Sequence, residues 1–134
     1  MSFGRAVGTC FSKYGDFSGR ARRSEFWWWY LFVIIVTLIP VLIGVVILVA
    51  SSASSGEAAG APAVIAIVMY VIAGLISIAL LVPTYAVGCR RLHDKGISGW
   101  LQLLVLVPCG NIVLIVLWAL AGQPHDNQYG APPA

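Results

Sequence analysis

The chain has 134 residues, 60% of them hydrophobic and only 10% charged, far from the make-up of an ordinary soluble domain. A water-soluble fold of this length would have to hide apolar runs longer than an ordinary buried helix, so the composition points to a bilayer as the solvent. The net charge of +3 is small but lopsided, with Arg5, Lys13, Arg20, Arg22 and Arg23 before the first apolar run and Arg90, Arg91 and Lys95 after the second.

In chain order, residues 1–14 place Phe3, Val7, Cys10, Phe11 and Tyr14 on one helical face, which predicts a short interfacial helix despite Gly4 and Gly8. Asp16 to Gly19 reads as a turn into the basic run Arg20-Ala21-Arg22-Arg23. The first span is expected over about 26–50, with Ser24 as its N-cap and Trp27, Trp28, Trp29 and Tyr30 at headgroup depth. It is too long for a cleavable signal core and is expected to stay in the mature protein. Pro40 lies mid-span and is a candidate kink. Residues 51–62 form a short exposed loop whose only charge is Glu57.

The second span is expected over about 63–87, with Gly74 and Ser77 where another helix could approach and Pro83 bending its last turn. The stretch from Gly88 to Gly99 is the most polar of the chain, and Trp100 follows as an interface anchor. The third apolar segment, about 100–121, is interrupted by Pro108-Cys109-Gly110-Asn111. Either half is too short to cross about 30 Å of hydrocarbon, while the whole can, so one kinked span is preferred over a re-entrant hairpin. The tail from Gly122 is Pro-rich and expected to be irregular.

The fold class is therefore an all-α polytopic membrane bundle of three transmembrane helices with an N-terminal interfacial helix, residues 1–134 forming a single integral membrane domain. All eight basic residues flank one side of the spans, so the N-terminus and the Arg90 loop are placed in the cytoplasm. Three crossing spans would put the tail outside; a re-entrant third segment would return it. Cys10, Cys89 and Cys109 are odd in number and widely spaced, and read as free structural thiols.

Two long motifs, Asp16 to Trp27 and Arg90 to Trp100, make the chain resemble the YhaH/YhaI-like family of small bacterial inner-membrane proteins, catalogued as a domain of unknown function. The resemblance continues through Pro108 and Gly110 to Asn127-Gln128-Tyr129-Gly130. The family typically has a basic residue where Gln128 stands and an acidic residue among the final prolines, so the tail departs from it. The resemblance implies an inner-membrane location and a multi-span fold, without an assigned reaction.

Both motifs fall at the cytoplasmic mouth of the bundle, where Arg20, Arg22, Arg23 and Glu25 can meet Arg90, Arg91, His93 and Asp94. The preferred reading is structural: Glu25 suits the positive end of the first span and pairs with Arg90 or Arg91, relieving repulsion between two basic motifs. The next reading has surplus arginines gripping anionic lipid headgroups or a partner. An enzyme would need His93 as a base oriented by a carboxylate, but adjacent His93 and Asp94 do not face each other on a helix. Cys89 and His93 share a face if helical, yet two ligands seldom make a metal site. For transport, only Gln102 and Asn111 are polar within the membrane, with no mid-span acid. The sequence thus predicts a non-enzymatic structural or interaction protein with no cofactor or metal; the alternative is a small carrier or lipid-handling protein. Its expected partners are the bilayer, anionic headgroups, and a membrane protein or second copy, with no nucleic acid.

Overall fold

Long unbroken apolar stretches with few helix breakers favour continuous helices in lipid, where every backbone amide must find its partner within the segment. The structure, a computed structural model, describes residues 1–53 and 60–133. It contains α1 (Phe3–Ser12), α2 (Arg23–Ser52), α3 (Gly60–His93), a 3₁₀ helix (Gly99–Leu106) and α4 (Gly110–Ala119), with no strand among the described residues beyond an isolated Asn127–Gly130 bridge. The all-helical expectation holds. Glu57 and most of its expected loop lie outside the described residues.

Helices α2 and α3 have 30 and 34 residues, so at a rise of 1.5 Å each they reach about 45 and 51 Å, more than the roughly 30 Å of hydrocarbon. Only 11% and 17% of their apolar windows are buried within the protein, whereas the core helix of a soluble protein would be mostly covered. Pro40 and Pro83 both lie inside these helices. Helix α3 continues past the expected boundary at Val87 to His93. The extra turns carry Arg90, Arg91 and His93 beyond the apolar stretch, where cations favour the negative end of the helix. Gly96, at φ 73°, stops it: Ile97 N–H reaches back to the Leu92 carbonyl (3.1 Å) and Gly96 N–H to that of His93 (2.9 Å), a Schellman closure.

By their internal contacts residues 31–80 form one compact unit and residues 1–30 with 81–134 another. Within the first, Ala66, Ala73 and Leu80 are buried at a spacing of seven, a coiled-coil-like seam. A Cβ on Gly44 would come within 3.0 Å of the Tyr70 ring, while one on Gly74 would meet nothing within 4 Å. The close approach is therefore at Gly44, not at Gly74 as the sequence suggested. Ser77 donates to the Ala73 carbonyl (2.8 Å), which satisfies its hydroxyl along its own helix.

In the other unit α1 packs across the start of α2. Ala6 and Cys10 are fully buried, and Phe3 and Phe11 meet Trp28 and Trp29 edge-on at ring distances of 5.8 and 5.2 Å. Of the five residues on the expected interfacial face, Cys10 is fully buried and Phe3, Phe11 and Tyr14 are exposed. Trp29 does not sit exposed as the expected headgroup anchors Trp27 and Trp28 do: it is fully buried, and its indole N–H donates to Thr84 Oγ1 at 3.0 Å. Helix α2 begins at Arg23, which puts Ser24 inside the first turn and not at its cap.

The segment expected as a third span is two short helices. Eight residues of 3₁₀ helix rise about 16 Å, and ten of α4 about 15 Å, each near half the hydrocarbon thickness. Pro108 lacks an amide proton and Cys109 takes a left-handed φ of 64°, so the chain turns back instead of kinking. Gly110 makes the reversal tight, for a Cβ there would lie 1.8 Å from the Leu104 carbonyl oxygen.

Candidate functional site

The polar residues singled out in the sequence converge, within the unit formed by residues 1–30 and 81–134, on the junction of the α2 N-terminus and the α3 C-terminus. Arg90 Nη1 donates to Glu25 Oε1 at 2.6 Å, with both side chains essentially out of solvent. Of the two arginines offered as the partner of Glu25, it is Arg90 that holds it. Asp94 carries two: Arg20 Nη2 lies 2.8 Å from Oδ1 and Arg91 Nη1 pairs with Oδ2.

The three arginines differ in how fully they are held. A guanidinium has five N–H donors, and all five of Arg20 are engaged: Nε with Asp94 Oδ1, Nη1 with the carbonyls of His125 and Gly130, and Nη2 with those of Asp94 and Gln123. Arg91 ties α3 to the end of α4, donating to the Trp118 carbonyl (3.0 Å) and to that of Leu120, and it reaches the Ala21 carbonyl at 3.4 Å. Among the described residues Glu25 is the one carboxylate paired with Arg90, whose Nε and Nη2 are buried with no hydrogen-bond acceptor. Cys10 Sγ sits 4.0 Å from the same Glu25 oxygen. Burial first, then the Glu25 charge, push the Cys10 thiol up to about 12.

Arg22 and Arg23 join no ion pair among the described residues. With Ser24, Gln123 and Pro132 they border a shallow cleft of about 520 Å³. His93 turns the other way, its Nδ1 3.1 Å from the Gly19 carbonyl and its ring stacked on Tyr129 at 3.8 Å with a 4° tilt. A carbonyl can only accept, so Nδ1 carries the proton and Nε2, 3.5 Å from Cys89 Sγ, is the acceptor of the neutral ring and faces that thiol. His93 and Asp94 make no dyad. Among the described residues no three His, Cys, Asp or Glu side chains cluster closely enough to hold a metal ion.

Both ends of the 3₁₀–α4 hairpin meet this junction. At its start, a Cβ on Gly99 would lie 2.0 Å from Cys89 Sγ; at its end, one on Gly122 would lie 1.8 Å from Asp94 Oδ2. Lys95 Nζ donates to the Ala121 carbonyl (3.0 Å), and burial lowers its pKa below the ordinary lysine value. Gln123 N–H closes on the Asp94 carbonyl at 2.9 Å.

The family described as protein of unknown function (DUF805) matches residues 14–131, a range that takes in both polar motifs, the hairpin and nearly all of the tail. The chain belongs to this family. Among its relatives, the inner membrane protein YhaH of Escherichia coli K12 is 33% identical over 121 residues, 90% of this chain and 88% of the relative. The inner membrane protein YhaI of the same strain is 32% identical over 121 residues, 90% and 87%. No solved structure matches the chain. As a DUF805 protein, this chain is a membrane protein of a family without an assigned biochemical activity.

In this DUF805 chain the tail is the part of the site that sequence reasoning missed. It is irregular, as expected, but it is also bound. Besides the Arg20 contacts, Asn127 Nδ2 donates to the His93 carbonyl at 2.9 Å, and Tyr129 covers the His93 ring. The available signal was Asn127-Gln128-Tyr129-Gly130, whose Asn and Gly are turn residues. Gly130 takes φ 114° and exchanges hydrogen bonds with Asn127 in both directions.

Proposed function

We propose that the chain is a non-catalytic, multi-pass protein of the bacterial inner membrane that acts by interaction at the cytoplasmic face. In this reading the N-terminus is cytoplasmic, α2 and α3 cross the bilayer, and 99–121 is a re-entrant hairpin that returns the tail to the cytoplasm. That replaces the preferred third span by its rival. Support for the hairpin comes from its half-membrane legs and from the junction that both its ends share. The basic residues supply the orientation, since cytoplasmic flanks are rich in Lys and Arg.

The observation that carries the functional reading is the complete internal engagement of Arg20. Together with Arg91, it serves as a structural clamp joining the two motifs, the hairpin and the tail, and is not available to grip lipid. Arg22 and Arg23 remain outward, beside the open cleft. Each can contribute roughly 1 kcal/mol of attraction to an anionic membrane surface. The clamp therefore presents a fixed platform with two outward arginines at the headgroup level. Affinity purification from native membranes, with protein and lipid identification, tests the role. Retention of a discrete membrane protein or of anionic lipid by the native chain, lost in Arg22→Gln/Arg23→Gln, is the expected result. Equal recovery from the native and doubly substituted chains would contradict it.

A further inference from the structure

Beside the clamp, within the same compact unit, lies a cavity of about 600 Å³ between the end of α3, the 3₁₀ helix and the tail. Its volume is that of a small-molecule site, and its walls are mainly aromatic and apolar, with Phe17, Tyr85, Trp100 and Leu103 among them. Among the described residues neither Arg, Lys, Asp nor Glu lines it. One lining side chain is out of place in such a setting. Gln102 is 7% exposed, and its carboxamide has no hydrogen-bond partner among the described residues. The amide is not sealed off: it opens onto the cavity, where a molecule that enters can pair with it.

The placement of this amide is built into the sequence. It lies over Gly88, where even a Cβ would come 2.2 Å from Gln102 Nε2. Alanine at 88 would displace the amide. His93, also on the lining, presents Nε2 as an acceptor, because Nδ1 donates to the Gly19 carbonyl and the Tyr129 ring holds the imidazole flat; the Cys89 thiol, 3.5 Å from Nε2, can turn instead to the Phe17 carbonyl. The polar groups that line the cavity, the Gln102 amide and His93 Nε2 with the Cys89 thiol and the Tyr85, Ser98 and Tyr129 hydroxyls, are all neutral. Its other side is bounded by Trp100, 80% exposed, and Leu103, 54% exposed, on the leading leg of the hairpin.

The geometry points to a binding site for an uncharged amphiphile, a hydroxyl or carbonyl head on an apolar body, admitted from the membrane alongside Trp100. A head carbonyl accepts from the Gln102 amide, and a head hydroxyl donates to His93 Nε2. Phosphate-bearing heads are disfavoured, since no cation lines the cavity to offset their desolvation. Two membrane sources share this chemistry, a quinone or quinol and an acylglycerol.

The test is binding to the purified full chain in detergent, read by native mass spectrometry and by quenching or shift of tryptophan emission. The probes are decylubiquinone and 1,2-dioctanoylglycerol, with dioctanoyl phosphatidylglycerol as the anionic comparator. One neutral probe is expected to bind saturably at one per chain and the anionic lipid not to compete; which of the two binds identifies the source. Gln102→Leu, close in size but without hydrogen bonding, is expected to weaken binding about three- to tenfold. Leu103→Trp, which fills the cavity and touches no polar contact, is expected to abolish it, so the inference remains testable if Gln102→Leu misfolds. Failure of both neutral probes to saturate, equal binding of the anionic lipid, or unchanged affinity in Leu103→Trp would overturn it.

Discussion

Glu25→Gln leaves a fully buried arginine without the one carboxylate that balances its charge among the described residues. Arg90 has no solvent exposure, two of its three guanidinium nitrogens already lack partners, and no second carboxylate among the described residues pairs with it. Breaking a buried pair by deleting one partner costs about 3–5 kcal/mol, because the remaining charge is left uncompensated. For Glu25→Gln the upper part of that range is expected. Asp94→Asn should cost less although Asp94 serves two arginines: Arg20 and Arg91 keep backbone carbonyls from the tail, the end of α4 and Ala21. The assay is a double-mutant cycle on reversible unfolding in mixed micelles. Glu25→Gln with Arg90→Gln should show coupling of about 3 kcal/mol or more, and Glu25→Gln with Arg91→Gln should be additive within about 0.5 kcal/mol, as for residues without a shared partner. Additivity with Arg90, or a larger cost for Asp94→Asn, would refute the reasoning.

Gly122→Ala should expel the Asp94 carboxylate, whose Oδ2 would lie 1.8 Å from the new Cβ, and destabilise the chain by about 3 kcal/mol, as for a broken buried pair; equilibrium unfolding measures it. Arg20→Lys keeps the charge but reduces five donors to three. The tail from Gln123 to Gly130 should then become a site of limited proteolysis while the remainder resists. Gly110→Ala meets the Leu104 carbonyl and should cost about 1–3 kcal/mol, the range for overpacking, with the hairpin losing amide-exchange protection before α2 or α3. Cys10, buried and with its thiol held at about 12, should stay unmodified by N-ethylmaleimide at pH 8 and react only once the chain is unfolded, as followed by intact-mass measurement.

The helices were legible because lipid leaves the backbone few choices: long apolar runs without charges had to be helices, and α2 and α3 are. The pairing of Glu25 with Arg90 was legible in outline, since an acid between two basic motifs has few other uses. Three features were not. The hairpin depends on Cys109 adopting a left-handed conformation, which hydropathy cannot see, and a 22-residue apolar segment reads the same whether it crosses or turns back. Gly88, Gly99, Gly110 and Gly122 act through the atoms they allow close, namely Gln102, Cys89, Leu104 and Asp94, and such distant partners leave no local pattern. The tail, expected only to be irregular, takes much of its hold on Arg20 through backbone carbonyls, which every residue type carries. Arg20, expected only as one of a cluster of arginines, is the most completely engaged side chain of the clamp.

The central claim is that the 99–121 segment returns to the face it leaves, so that the tail joins the clamp on the same side as the N-terminus. Single cysteines at Lys13, Glu57 and Gln128, introduced one at a time into a chain lacking its three native cysteines, would be exposed to a membrane-impermeant maleimide in intact spheroplasts and again after lysis. The account predicts labelling of position 57 in intact spheroplasts, and of positions 13 and 128 only after lysis. Labelling of position 128 together with 57 before lysis would mean that the third apolar segment crosses the membrane, and would contradict it.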